Sequence, residues 1–134
     1  MKKFFALLSV VLICFCFSSC EKDNFDVLKG TWKNTGVNAS TGGATELDLT
    51  YIFDGKGNFT FINRGEGITA EGTYTIEENN TIVRMNGVSR NPDGIEKEFK
   101  DAYLLDLDVT PPIFYIELYD QYGTYFGTLI FEKQ

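Results

Sequence analysis

From Leu28 onward the chain is cut into short runs rich in threonine, isoleucine, tyrosine and phenylalanine by clusters of glycine, asparagine, aspartate and proline. This punctuation is what antiparallel strands joined by tight turns require, and it constrains the fold more than any other feature. Eight runs are predicted as strands: Leu28 to Thr35, Glu46 to Asp54, Asn58 to Asn63, Thr69 to Glu77, Thr81 to Asn86, Ile95 to Leu105, Ile113 to Tyr119 and Thr124 to Glu132. None of this portion carries sustained helical periodicity. Only the stretch Asn24-Phe25-Asp26-Val27 has room for a single short turn of helix.

Hydrophobic alternation fixes two registers. Leu47, Leu49, Tyr51 and Phe53 alternate with more polar residues, and Phe59 and Phe61 do so after Asp54-Gly55-Lys56-Gly57-Asn58. A three-residue loop with Gly57 at positive φ sets Phe53 opposite Phe59 and Tyr51 opposite Phe61, which puts the four rings on one face. A loop one residue longer would separate Phe53 from Phe59, so the pattern selects the shorter one. In the next hairpin a tight turn at Asn79-Asn80 pairs Ile76 with Val83 and Tyr74 with Met85, asparagine tolerating the positive φ involved. Strands with one apolar face must stack or close, and closure also removes exposed edges, so an all-β, eight-stranded antiparallel up-and-down barrel is the expected fold. Its inward rings, Tyr51, Phe53, Phe59, Phe61 and Tyr74, favour a filled interior over an open one.

The residues before the strands read as an address. Met1-Lys2-Lys3 is positive, Phe4 to Phe17 is uncharged and largely apolar, and Ser18 and Ser19 are small, the pattern of a secretory signal. An apolar run of this length falls short of the roughly 17 residues needed to span a bilayer. Of the three cysteines, Cys14 and Cys16 follow large residues and only Cys20 follows small ones. Phe17-Ser18-Ser19-Cys20 resembles a bacterial lipobox, with Phe17 where leucine is usual, and the resemblance implies a diacylglyceride on Cys20. The expected organisation is therefore a signal peptide over 1–19, a lipidated tether over 20–27 and the barrel over 28–134. Glu21-Lys22-Asp23 is similar to the charged segment of Bacteroidota-type surface lipoproteins, and the expected location is the outer membrane, lipid-anchored.

Leu28-Lys29-Gly30-Thr31-Trp32, then Tyr51 to Phe59, then Gly72-Thr73-Tyr74-Thr75-Ile76, resembles the lipocalin-like domains of small bacterial lipoproteins. That resemblance implies that Gly30 and Trp32 are structural, the tryptophan plugging one end of the barrel. The chain departs from true lipocalins in lacking a Thr-Asp-Tyr motif, a C-terminal helix and a late arginine over the tryptophan, Lys133 being the nearest cation. The resemblance also implies a binding protein, its ligand a small apolar molecule or an envelope protein. Rival expectations are a glycan reader using outward-facing Tyr115 and Tyr119 as a flat platform, and a structural subunit of an envelope complex.

Chemistry is expected to be absent. The chain has no histidine, which removes the commonest general base and metal ligand. Acid pairs such as Glu77-Glu78 and Glu96 with Glu98 sit near turns or on polar strand faces, so no catalytic residue, metal or cofactor is assigned. Asp54-Gly55-Lys56-Gly57-Asn58 has part of the spacing of a calcium loop but lacks its further acidic ligand. The net charge of −7 argues against nucleic acid as a partner and leaves the membrane, through Cys20, as the expected attachment.

Overall fold

The computed structural model describes residues 24–39 and 47–134. A 3-10 helix, Asn24–Leu28, leads into eight strands: β1 (Gly30–Ala39), β2 (Leu49–Phe53), β3 (Asn58–Asn63), β4 (Ile68–Glu77), β5 (Ile82–Arg90), β6 (Glu96–Asp106), β7 (Ile113–Tyr119) and β8 (Tyr125–Lys133). Each strand pairs with the next and β8 returns to β1, so the sheet closes into an antiparallel barrel. The signal peptide, Cys20 and the first part of the tether lie outside the described residues. Among the described residues no helix is long and apolar enough to cross a membrane.

Both hairpin registers follow the hydrophobic pattern. Phe53 faces Phe59 and Tyr51 faces Phe61 across β2 and β3, while Ile76 faces Val83 and Tyr74 faces Met85 across β4 and β5. Gly57 has φ +98° and Gly55 has φ +75°, conformations that a Cβ would penalise. The β4–β5 connection is wider than a two-residue turn, since Glu78, Asn79 and Asn80 all take positive φ. Pairing stops at Glu77 and Ile82, so the wider turn leaves the register unchanged.

Two strands run further than the sequence pattern suggests. β1 continues past Thr35 to Ala39 by means of an irregularity between Asn34 and Gly36. The buried Asn34 amide holds this bulge, donating to the carbonyls of Gly36 (3.1 Å) and Ile130 (3.0 Å) while its oxygen accepts from the Leu47 N–H (3.0 Å). β5 continues past Asn86 through Gly87-Val88-Ser89-Arg90, paired on both sides.

The core is a cluster of rings. Trp32 lies 5.5 Å from Phe114 and 6.4 Å from Phe53, Phe114 stacks on Phe131 at 4.7 Å, and Phe53 meets Tyr74 edge-on at 4.9 Å. Offset and edge-to-face arrangements of this kind add roughly 0.5–1.5 kcal/mol per pair beyond area burial. The 3-10 helix covers this end. The Trp32 indole N–H donates to the Leu28 carbonyl at 2.8 Å, and the Tyr74 hydroxyl donates to the Phe25 carbonyl at 2.6 Å. Lys133 Nζ stands 5.9 Å from the Trp32 ring centroid, in the place where the resemblance led one to look for an arginine.

Candidate functional site

Away from Trp32 the interior becomes more polar. Tyr51 reaches from β2 and Tyr103 from β6, their hydroxyls hydrogen-bonded to one another, and Tyr103 also donates to Asp101 at 3.0 Å. Burial disfavours the tyrosinate at both positions and pushes the Tyr51 hydroxyl up to about 12. Tyr103 is raised too, by burial first and then by the charge of its neighbours. Both phenols therefore stay protonated and serve as fixed dipoles, supported by the rings of Phe61 and Phe131, 4.6 and 5.1 Å from Tyr51.

The wall of β4, β5 and β6 is thinned on its inner face for a local reason. Gly72 and Gly87 face each other across β4 and β5. A Cβ on Gly72 would fall 2.0 Å from the Asn86 carbonyl oxygen, and one on Gly87 would fall 2.4 Å from that of Glu71. No other residue permits this approach. On the far side Gly87 faces Phe99, whose ring edge comes within 3.1 Å of where a Gly87 Cβ would stand. The ring is anchored at 6.1 Å by Phe59 and is only partly buried. A glycine inside a strand commonly marks such a close approach.

Around this pair Asn86, Val88, Glu98 and Lys100 complete a cleft of about 480 Å³. Asn86 faces Lys100 across the two strands, and Val88 faces Glu98. The amide, the carboxylate and the amine share the outer face, whereas the Phe99 ring, one residue out of phase with Glu98 and Lys100, points inward onto Phe59. Val88 also borders a second cleft of about 260 Å³, lined by Thr60, Thr69, Glu71, Arg90 and Glu96. There Arg90 is opposite Glu96 on one side and Thr69 on the other, and its guanidinium bonds the Glu96 carboxylate through Nε (3.1 Å) and through a terminal nitrogen. That carboxylate holds the guanidinium in its charged form even more firmly than usual, with Glu71 adding to the effect. The remaining ion pairs, Arg84 with Glu77 and Arg64 with Asp48, are exposed surface contacts. Lys100 takes part in none of the ion pairs formed among the described residues.

The residues singled out in the sequence are dispersed. Trp32 is fully buried, and Gly30, at φ +132°, lets β1 begin beneath Lys133. Tyr115 is half-buried and borders a cleft of about 380 Å³ beside Leu104 and the β4–β5 turn. Tyr119 lies beyond an irregularity at Leu118, about 13 Å further along β7. Its ring meets Tyr125 edge-on at 5.9 Å and its hydroxyl bonds Glu117, so the two tyrosines have different neighbours. The Asp54 carboxylate caps its own turn, accepting from the backbone N–H groups of Lys56 (2.7 Å) and Asn58 (3.0 Å) and from the Asn58 amide (2.7 Å). These bonds, led by the Asn58 amide, hold Asp54 below the usual carboxylate range. Asn86, Phe99, Lys100 and Arg90 went unmarked in the sequence. Gly87, within an otherwise strand-like run, was the signal that could have found them.

Fold and surface together define a closed eight-stranded antiparallel barrel with a filled, ring-rich end and a polar cleft on its outer wall. No family model matches the chain. It is similar to proteins named "Nucleotide-binding protein" in Pseudomonas syringae pv. tomato (36% identical over 80 residues), Azotobacter vinelandii (32% over 80) and Pseudomonas fluorescens (34% over 82). The matched stretch is 60% of this chain, and the chain spans about half the length of the curated relatives it matches.

These names overturn the function and partners expected from the sequence. Relatives named for nucleotide binding run against an outer-membrane lipoprotein binding a small apolar ligand or an envelope protein, against a glycan reader, and against a structural subunit. They also run against a partner set built on the lipid anchor at Cys20 with nucleic acid excluded. The physical reason is clear for two of these. The apolar interior is occupied by the protein's own rings, and Tyr115 and Tyr119 make no common platform. For the exclusion of nucleic acid, the net charge of −7 is a sum over the whole chain, whereas a ligand responds to the few groups within reach.

Proposed function

We propose that this barrel binds a nucleotide in the outer-wall cleft lined by Asn86, Val88, Glu98 and Lys100. Asn86 and Lys100 meet acceptors on the base edge, and Glu98 accepts from the ribose hydroxyls. The observation that carries the reading is the gathering of amide, amine and carboxylate in one cleft of about 480 Å³, within the range of small-ligand sites. Donors such as lysine and asparagine are side chains that read purine edges. The names of the similar proteins support the same reading. The function is binding without a bond-breaking step, in keeping with a chain that has no histidine to act as a base.

Calorimetric titration with adenosine and guanosine monophosphates tests it. Binding is expected for the unaltered protein, and Lys100→Gln, which removes the one cation of the cleft, is expected to weaken it by about tenfold. Absence of heat with every common nucleotide at millimolar concentration would overturn the reading, as would full affinity in a folded Lys100→Gln variant.

A further inference from the structure

The barrel wall is open along one seam. β6 and β7 pair only through Leu104, Leu105 and Asp106, so among the described residues the stretch from Glu96 to Tyr103 is paired with β5 on one side and with no strand on the other. The Leu105 N–H donates to the Thr81 carbonyl at 2.8 Å, which sets the alternation along β6. Phe99 and Asp101 turn their backbone groups to β5, while Glu98, Lys100 and Ala102 turn theirs to the seam. Exposure agrees with an open wall. Lys97 and Asp101 are on the inner side of the strand, in phase with Phe99, and yet both are exposed.

An unpaired edge invites a second strand, and proteins commonly guard it with charge. The charges here do the opposite. The edge reads Lys97-Glu98-Phe99-Lys100-Asp101, in which every charge has its opposite at the same distance on the other side of Phe99. None of the four is in an ion pair among the described residues. We infer that the protein forms a two-fold dimer by antiparallel pairing of this β6 edge with the same edge of a second copy, Phe99 opposite Phe99. Glu98 then faces Lys100 of the second copy and Lys97 faces Asp101 of the second copy, each pair occurring twice about the axis. Backbone geometry agrees: Glu98 and Lys100, whose N–H and C=O groups face the seam, fall opposite one another and exchange both hydrogen bonds. Sliding one strand by two residues, the smallest shift that keeps this alternation, sets Glu98 against Glu98 or Lys100 against Lys100, so charge fixes the register. A ladder this short buries little area, and the dimer it forms is weak and concentration-dependent. The pairing stands whatever binds in the outer-wall cleft.

Sedimentation analysis between about 1 μM and about 1 mM, with amide hydrogen exchange at both ends of that range, tests the inference. The unaltered protein is expected to pass from monomer to dimer. Its Glu98 and Lys100 amides should become protected as it does so, whereas those of Phe99 and Asp101, turned to β5, should be protected throughout. Lys97→Glu sets like charges opposite one another twice and should weaken the dimer by about tenfold or more. Adding Asp101→Lys to that variant restores opposite charges and should recover the dimer, which a change that merely damaged the fold would not allow. Both positions are exposed, so the variants should fold, and their melting curves check this. A protein monomeric throughout, a dimer that Lys97→Glu leaves equally tight, a double variant no tighter than the single one, or a dimer whose Glu98 and Lys100 amides still exchange freely would each overturn the inference.

Discussion

The barrel end around Trp32 and the outer wall of β4, β5 and β6 are built from the same strands yet use their side chains in opposite ways. At the first, Trp32, Phe53, Tyr74, Phe114 and Phe131 are all within 2% exposure and each ring packs on several others. At the second, the central positions are occupied by glycines, and the side chains around them point to water. Inside, burial is spent on stability. Outside, Asn86, Glu98 and Lys100 border a cleft whose polar lining adds little to folding and is available for a ligand. The comparison teaches that in a barrel too full to hold a guest, a binding site is to be sought on the outer wall.

The comparison can be broken first at its strongest point. Trp32→Ala removes the largest buried side chain and should cost about 3–5 kcal/mol, read as a lower denaturant midpoint, with nucleotide affinity of the folded fraction unchanged. A loss of affinity in that variant would show that the two regions are not separable. Gly87→Ala comes next. Its Cβ would meet the Glu71 carbonyl at 2.4 Å, so the strands must part, costing about 1–3 kcal/mol and deforming the cleft. Both the melting temperature and nucleotide binding should fall, which distinguishes it from Trp32→Ala.

Tyr51→Phe is a smaller change with a pH signature. At neutral pH it should cost about 1 kcal/mol through the lost hydroxyl bond to Tyr103. The folded protein holds the Tyr51 proton more tightly than the unfolded chain, whose tyrosines ionise near 10.0, so this contribution is intact below that value and lost as pH rises toward 12. The variant should therefore lose less stability between pH 10.0 and 12 than the parent, measured by denaturant titration at each pH. Equal alkaline losses would show that Tyr51 does not drive the transition. The smallest effect is expected at Arg84→Gln, which breaks an exposed pair with Glu77 and should leave the melting temperature unchanged, as most surface ion pairs do.

The sequence made the fold legible where apolar alternation met turn chemistry. The hairpins at Gly55-Lys56-Gly57 and Asn79-Asn80 have the registers that Phe53, Phe59, Tyr74 and Met85 demanded. It failed where the alternation carried no apolar contrast. Thr35 to Ala39 is reached through a bulge that depends on Asn34 meeting Ile130 and Leu47, contacts distant in sequence. Gly87 to Arg90 contains a glycine and two polar residues, which read as the approach to the Asn91-Pro92 turn although the structure pairs them on both sides. The candidate site lies on that overlooked segment. Tyr115 and Tyr119 drew notice because aromatic density is visible in a sequence, whereas an irregularity at Leu118 that gives them different neighbours is not.

The facing pair Gly72 and Gly87 has one more consequence. Because each occupies the space that the other's neighbour would need, neither can acquire a side chain while its partner strand stays put. Diversification along this wall is thereby channelled to Asn86, Val88, Glu98 and Lys100, whose side chains can be exchanged without disturbing the backbone. The scaffold thus locks the spacing of the strands beneath the cleft and leaves its preference for one ligand over another open to change.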